Sequence, residues 1–176
     1  MGKIRLSLNS VNVKPNWTER LISVAHPETK VSKVLVHLQF TVWPGRWIYQ
    51  HSLNLDRLKT LIYSSFPDSP SALLSFVSEG LSQHAQQRSS KRPVVVHCHS
   101  GVGRSGVFCL LTAAMAEIRL GNGLPDVLTV ATNISYQRRG PLRDRQHLLF
   151  AYQSLLYHCQ DLLMKRMIIY FDRWLG

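Results

Sequence analysis

Cys98 is followed, after five intervening residues, by Arg104 and Ser105. Those five residues are His99, Ser100, Gly101, Val102 and Gly103, and the apolar run PVVVHC leads into them. A strand that turns through glycines into a helix presents successive backbone N–H groups to one point. The helix N-terminus adds partial positive charge there. Gly101 and Gly103 allow the curl, and the result is a cradle for a tetrahedral oxyanion. Arg104 supplies a planar fork that grips two oxygens at once. The field that attracts an anion also stabilises a thiolate at Cys98. A thiolate under a bound phosphate is a nucleophile aimed at phosphorus. Ser105 can hydrogen-bond the sulfur and assist its departure, and His97 can brace the loop. The spacing therefore points to attack on a phosphate ester through a cysteinyl-phosphate.

The competing reading for any of these residues is plain structure. Cys109 and Cys159 fall on apolar helical stripes, and for them a core role is preferred. His99 reads as loop surface. No further Cys or His lies at zinc-site spacing, so neither a metal nor a cofactor is expected. Three cysteines do not suggest a disulfide framework and fit a reducing, cytoplasmic setting.

The chain has 176 residues, which predicts a single domain, 1–176. Its 45% hydrophobic and 18% charged residues suffice for a buried core. The formal net charge of +11 favours phosphorylated or polyanionic partners. Arg138, Arg139, Arg143 and Arg145 cluster in sequence after the proposed cradle's helices. A basic rim for acidic phosphopeptides explains them as well as specific nucleic-acid binding, which is not expected. The apolar stretch 107–116 is too short for a transmembrane segment. The N-terminus alternates instead of forming the apolar block of a signal peptide.

The elements that must position the loop follow from periodicity. Residues 4–13 alternate like a half-buried strand, and RLISVAH and VLVHLQF continue an antiparallel meander. Asp68 or Ser69, followed by Pro70, begins a helix whose Leu73, Leu74, Val77 and Leu81 share a face. PVVVHC, residues 93–98, has the pattern of a strand covered on both sides. Helices are predicted from Arg104 to Leu120, near 126–138 and near 143–166, the last with Leu148, Tyr152, Leu155, Cys159 and Leu162 as its buried stripe. The apolar tail MIIYFDRWLG is expected to dock on the core. Strands first and helices later give an α/β class, with an α+β mixed sheet flanked by helices.

HCHSGVGRSG resembles the signature of the non-receptor protein tyrosine phosphatases, His-Cys-x-x-Gly-x-x-Arg-Ser/Thr-Gly. FTVWP, FPDSPSALLSF and YQRRGPLRDRQHLLFAYQSLL extend the likeness to the C-terminal part of that catalytic domain. GNGLPD and local details resemble most the type that carries a Bro1 domain and a histidine-rich region. The resemblance implies Cys98 as nucleophile, Arg104 as phosphate clamp and Ser105 as sulfur partner. It implies phosphate binding by the amides of His99, Ser100, Gly101, Val102, Gly103 and Arg104, and coupling of Trp43 to loop closure. It also implies phosphotyrosine-containing proteins and endosomal-sorting components as partners, and a cytoplasmic, endosome-associated location.

The sequence departs from that family in four places. Gly45 stands where the family has its general acid, so turnover is expected to be impaired; Asp56 and Asp68 are the candidate substitutes. Arg143 and His147 replace the two glutamines that serve hydrolysis of the phospho-enzyme, and Arg143 can add to the anion site. The family's N-terminal portion has no match. Residues 47–65 read as an insertion, either a translated intron or an amphipathic helix. An alternative function is a weak or inactive phosphotyrosine-binding scaffold module.

Overall fold

The computed structural model describes residues 4–44, 66–67, 69–87, 92–142 and 144–175, with no side-chain detail from 171 onward. The proposed insertion 47–65, Gly45, Asp56, Asp68 and Arg143 lie outside the described residues. The chain divides into two compact units, Met1–Gly45 and Arg46–Gly176.

The first unit is an antiparallel meander of β1 (Arg5–Val13), β2 (Trp17–His26) and β3 (Val31–Phe40), in the order β1-β2-β3. Alternation of apolar and polar residues and a four-residue turn at 27–30 build it, as expected. The register slips between Leu8 and Ser10, and Asn9 is held there by paired hydrogen bonds with Ser23 at 2.8 and 3.0 Å. The half-buried character expected of β1 is not observed: all nine of its residues are exposed. No second layer covers it among the described residues, so alternation gave the strand without giving it a core.

The core lies in the second unit. Helix α1 (Pro70–Gln86) starts at Ser69, whose hydroxyl accepts from the Ser71 amide at 3.3 Å, with Pro70 in the first turn. Ser69, not Asp68, is therefore the cap. Helix α2 (Gly103–Arg119) is the central element: Val107, Leu110, Leu111, Ala114 and Met115 are fully buried. Helix α3 (Val127–Gln137) is capped by Asp126, whose carboxylate accepts from the Leu128 and Thr129 amides at 3.2 Å each. Helix α4 (Arg145–Leu175) runs past the expected end. Helices α1, α3 and α4 all pack on α2. Gly80 of α1 brings the helices close, since a Cβ there would stand 3.1 Å from the Phe108 ring.

Three expectations are corrected. Residues 92–98 belong to no strand ladder, and Val95 is 83% exposed. An apolar run becomes a covered strand only when neighbours pair with it, and none does so among the described residues. The buried face of α4 is Phe150, Ala151, Ser154 and Leu155, while Tyr152 is 47% exposed. The 3.6-residue period was right and Leu155 is shared, but the buried face is rotated away from Tyr152 toward Ala151 and Ser154. Within the described side chains the tail does not dock on the core: Met167, Ile168, Ile169 and Tyr170 are exposed on a continuous helix.

Because α2 carries the core, truncating it opens a cavity. Leu110→Ala is expected to destabilise the helical unit by about 2–5 kcal/mol. Urea denaturation followed by circular dichroism will measure it.

Candidate active site

The loop from Cys98 to Gly103 joins residues 92–97 to the first turn of α2. Its helix-capping residue, Val102, offers no side-chain acceptor to the first-turn amides. The first intrahelical bond is Gly106 N to Val102 O at 3.1 Å. The amides ahead of it therefore have no side-chain cap, on an end of the helix that carries positive potential.

The Cys98 sulfur already uses this arrangement. It accepts the Gly101 N–H at 3.2 Å. Burial pushes the thiol pKa up, but donors from the Ser105 hydroxyl and amide, and from the Gly101 and Ser100 amides, outweigh it and bring the pKa from 9.0 to about 7. The Ser105 hydroxyl oxygen is buried and meets no partner at strict hydrogen-bonding geometry, so it acts on the sulfur as a loose donor. Cys109 and Cys159 move the other way, because burial raises both. Of the three thiols, only Cys98 is poised to ionise near neutrality.

Two glycines are required by what packs against them. Gly101 has φ +70°, and a Cβ there would lie 2.7 Å from Nη2 of Arg138. A Cβ on Gly103 would collide with the His147 imidazole. His147 stands in the first turns of α4, with Nδ1 3.6 Å from the Asp144 carboxylate. The Phe66 ring meets the imidazole edge-on at 5.1 Å and lies 4.9 Å from Phe150. Burial lowers the His147 pKa, Asp144 opposes that, and the nearby Arg104 charge lowers it further. His147 thus favours its neutral form close to the clamp arginine.

The structure brings together Cys98, Ser100, Gly101, Val102, Gly103, Arg104 and Ser105 in this one turn. Arg104 is exposed at the start of α2. His97 and His99 are exposed on the flanks of the cysteine. Trp43 belongs to the first unit, half-buried, with its ring edge-on to Phe40 at a centroid distance of 6.4 Å. Sequence reasoning missed Phe66 and Asp144. Asp144 had a readable signal, an acidic residue just before a helix; its side chain accepts the Gln146 amide at 2.9 Å. Phe66 had none, because its contact with His147 joins segments far apart in the chain.

Three outcomes follow from this geometry. Alkylation by iodoacetamide will select Cys98 over Cys109 and Cys159 at neutral pH, with a rate that rises through a midpoint of about 7. Deprotonation makes the nucleophile, so the rate falls about tenfold per pH unit below that midpoint. Ser105→Ala will move the midpoint upward, as read by mass spectrometry of each cysteine peptide. Gly101→Ala forces a side chain into left-handed backbone, at a cost of about 1–2 kcal/mol. It also pushes on Arg138, so vanadate affinity is expected to fall about tenfold or more, measured by calorimetry.

The family described as protein-tyrosine phosphatase matches residues 1–157. Human tyrosine-protein phosphatase non-receptor type 23 is 35% identical over 164 residues, spanning 93% of this chain and 9% of that protein. Rat receptor-type tyrosine-protein phosphatase V is 27% identical over 155 residues, spanning 88% of this chain and 8% of its own length. Mouse tyrosine-protein phosphatase non-receptor type 20 is 25% identical over 156 residues, spanning 89% and 31%. The chain thus covers about a tenth of the first of these relatives. A Cys98 turn that stabilises a thiolate, joined to a match over 157 residues, places the chain in the protein-tyrosine phosphatase family.

Proposed function

We propose that this domain dephosphorylates phosphotyrosine through a cysteinyl-phosphate, with turnover weakened by its missing acid. The observation that carries the reading is the Cys98 thiol, brought to about 7 by donors of the turn that starts α2, a helix without a side-chain cap. The ester's phosphate occupies the cradle, held by the loop amides and the Arg104 fork. The Cys98 thiolate attacks phosphorus, the phosphorus–oxygen bond to the tyrosyl ring breaks, and the departing phenolate takes a proton. Water then attacks the phosphocysteine, phosphate leaves, and the thiolate is regenerated with help from Ser105.

Gly45 cannot donate the proton that the leaving phenolate needs. General acid catalysis typically supplies about 10²–10⁴-fold, so leaving groups that depart without protonation will be favoured. Arg143 and His147 replace the residues that the family uses for the second step. A second reading, a phosphotyrosine-binding scaffold, is favoured by Gly45 alone: the cradle and clamp persist without the acid.

We extend the proposal to phosphotyrosine-bearing proteins as partners, to a single partial phosphatase domain over residues 1–176 with an insertion at 47–65, and to a cytoplasmic setting near endosomal-sorting components. The support is the resemblance, the basic charge and the open cradle.

Two substrates separate the readings. The domain is expected to release p-nitrophenol from its phosphate ester above the Cys98→Ser background. Turnover of a phosphotyrosine peptide is expected to be slower by about 10²–10⁴-fold. Equal rates for the parent and Cys98→Ser, together with retained affinity for the phosphopeptide, would leave binding as the function.

A further inference from the structure

His147 is a partly buried titratable side chain that stands against the cradle, and the two displacement steps make no use of it. A Cβ on Gly103 would meet the Nε2, Cε1 and Cδ2 atoms of its ring. The Nε2 end of the imidazole therefore abuts the cradle, one residue before Arg104. The Nδ1 end is buried and meets no hydrogen-bond partner among the described residues; the Asp144 carboxylate stands just beyond bonding distance, at 3.6 Å. A proton on Nδ1 faces that carboxylate favourably, whereas a lone pair there faces like charge. The neutral ring thus carries its proton on Nδ1 and turns a lone pair toward the cradle. A lone pair is the wrong neighbour for an oxyanion. Moving the single proton to Nε2 would set a lone pair against Asp144 instead, so the ring suits both neighbours only when it holds two protons.

We propose that His147 takes up a proton as an oxyanion enters the cradle and becomes, beside Arg104, a second cation at the site. Burial works against the charged ring; Asp144, ahead of α4, favours it, and Arg104 of α2 opposes it. From residues 66–67 the imidazole meets the uncharged Phe66 ring edge-on. A dianion held by Arg104 cancels that arginine's repulsion and adds an attraction of its own, which turns the balance toward the imidazolium. The His147 side chain is 22% exposed, which gives solvent protons a route to it. The proton comes from solvent with the anion and returns when the anion leaves, so only an N–H bond forms and breaks. By linkage, oxyanion affinity rises as pH falls, by at most about tenfold per pH unit for one proton, and levels off once the ring of the empty site is itself charged. The proposal rests on the phosphatase reading only through the affinity of the cradle for oxyanions.

The test is calorimetry of sulfate binding to the whole chain carrying Cys98→Ser, in buffers of different ionisation enthalpy. Sulfate stays doubly charged from mildly acidic to mildly alkaline pH and the variant has no thiol at 98, so neither adds protons of its own. Net proton uptake on binding is expected, with an affinity that rises as pH falls across this range. His147→Gln in the same background is expected to bind sulfate with most of the uptake and most of the pH dependence lost. Asp144→Asn keeps an oxygen for the Gln146 amide and removes the charge that favours the imidazolium, so it is expected to move the uptake to lower pH. Circular dichroism checks that each variant keeps its helices; if His147→Gln loses them, Asp144→Asn decides, and an unmoved uptake there overturns the proposal. Uptake that persists in a folded His147→Gln overturns it in favour of His97 or His99, which flank Cys98. Sulfate binding without uptake in the Cys98→Ser chain overturns it and leaves the phosphatase reading standing. Absence of sulfate binding removes the cradle and overturns both.

Discussion

One sulfur atom is pulled in two directions. Burial favours the neutral thiol of Cys98, while donors from Ser105, Gly101 and Ser100 favour the thiolate, and the donors win. They can win only if their positions are set before any substrate arrives. That condition explains why the loop is joined to the most deeply packed helix in the described structure. Val107, Leu110, Leu111, Ala114 and Met115 fix α2 in the core, and its first turn is therefore fixed as well. The geometry of the loop is borrowed from packing a few residues downstream.

The second constraint is crowding. Glycine at 101 is demanded by backbone with φ +70° and by the Arg138 guanidinium; glycine at 103 is demanded by the His147 ring. Both neighbours come from later in the chain, and both are basic side chains held against a site for anions. His147 is kept toward its neutral form by burial, with Arg104 adding to the effect and Asp144 opposing it. The cradle is thus walled by groups whose charge state matters to the anion it would hold, while the acid expected at residue 45 is replaced by glycine.

The distribution of apolar surface is uneven. The helical unit buries a continuous core, whereas β1, the segment leading to Cys98 and the end of α4 all expose large aliphatic side chains. Apolar pattern alone predicts burial in every one of these places. Burial requires a partner surface, and the partner is what the described residues do not supply for these three.

Local information was enough for much of the molecule. The meander, the Ser69–Pro70 helix start, the Asp126 cap region and the whole turn from Cys98 to Ser105 depend on residues within a few positions of each other, and periodicity and glycine placement report such relations directly. The donors around the Cys98 sulfur lie close in sequence for the same reason: they are Ser100, Gly101 and Ser105. Tertiary structure decided everything that depends on contact between distant segments. It set Phe66 against His147, Arg138 against Gly101, which face of α4 is buried, and whether residues 92–98 gain ladder partners. A helical period tells how residues are spaced around an axis, but only the approach of another helix chooses the angle at which that axis is turned.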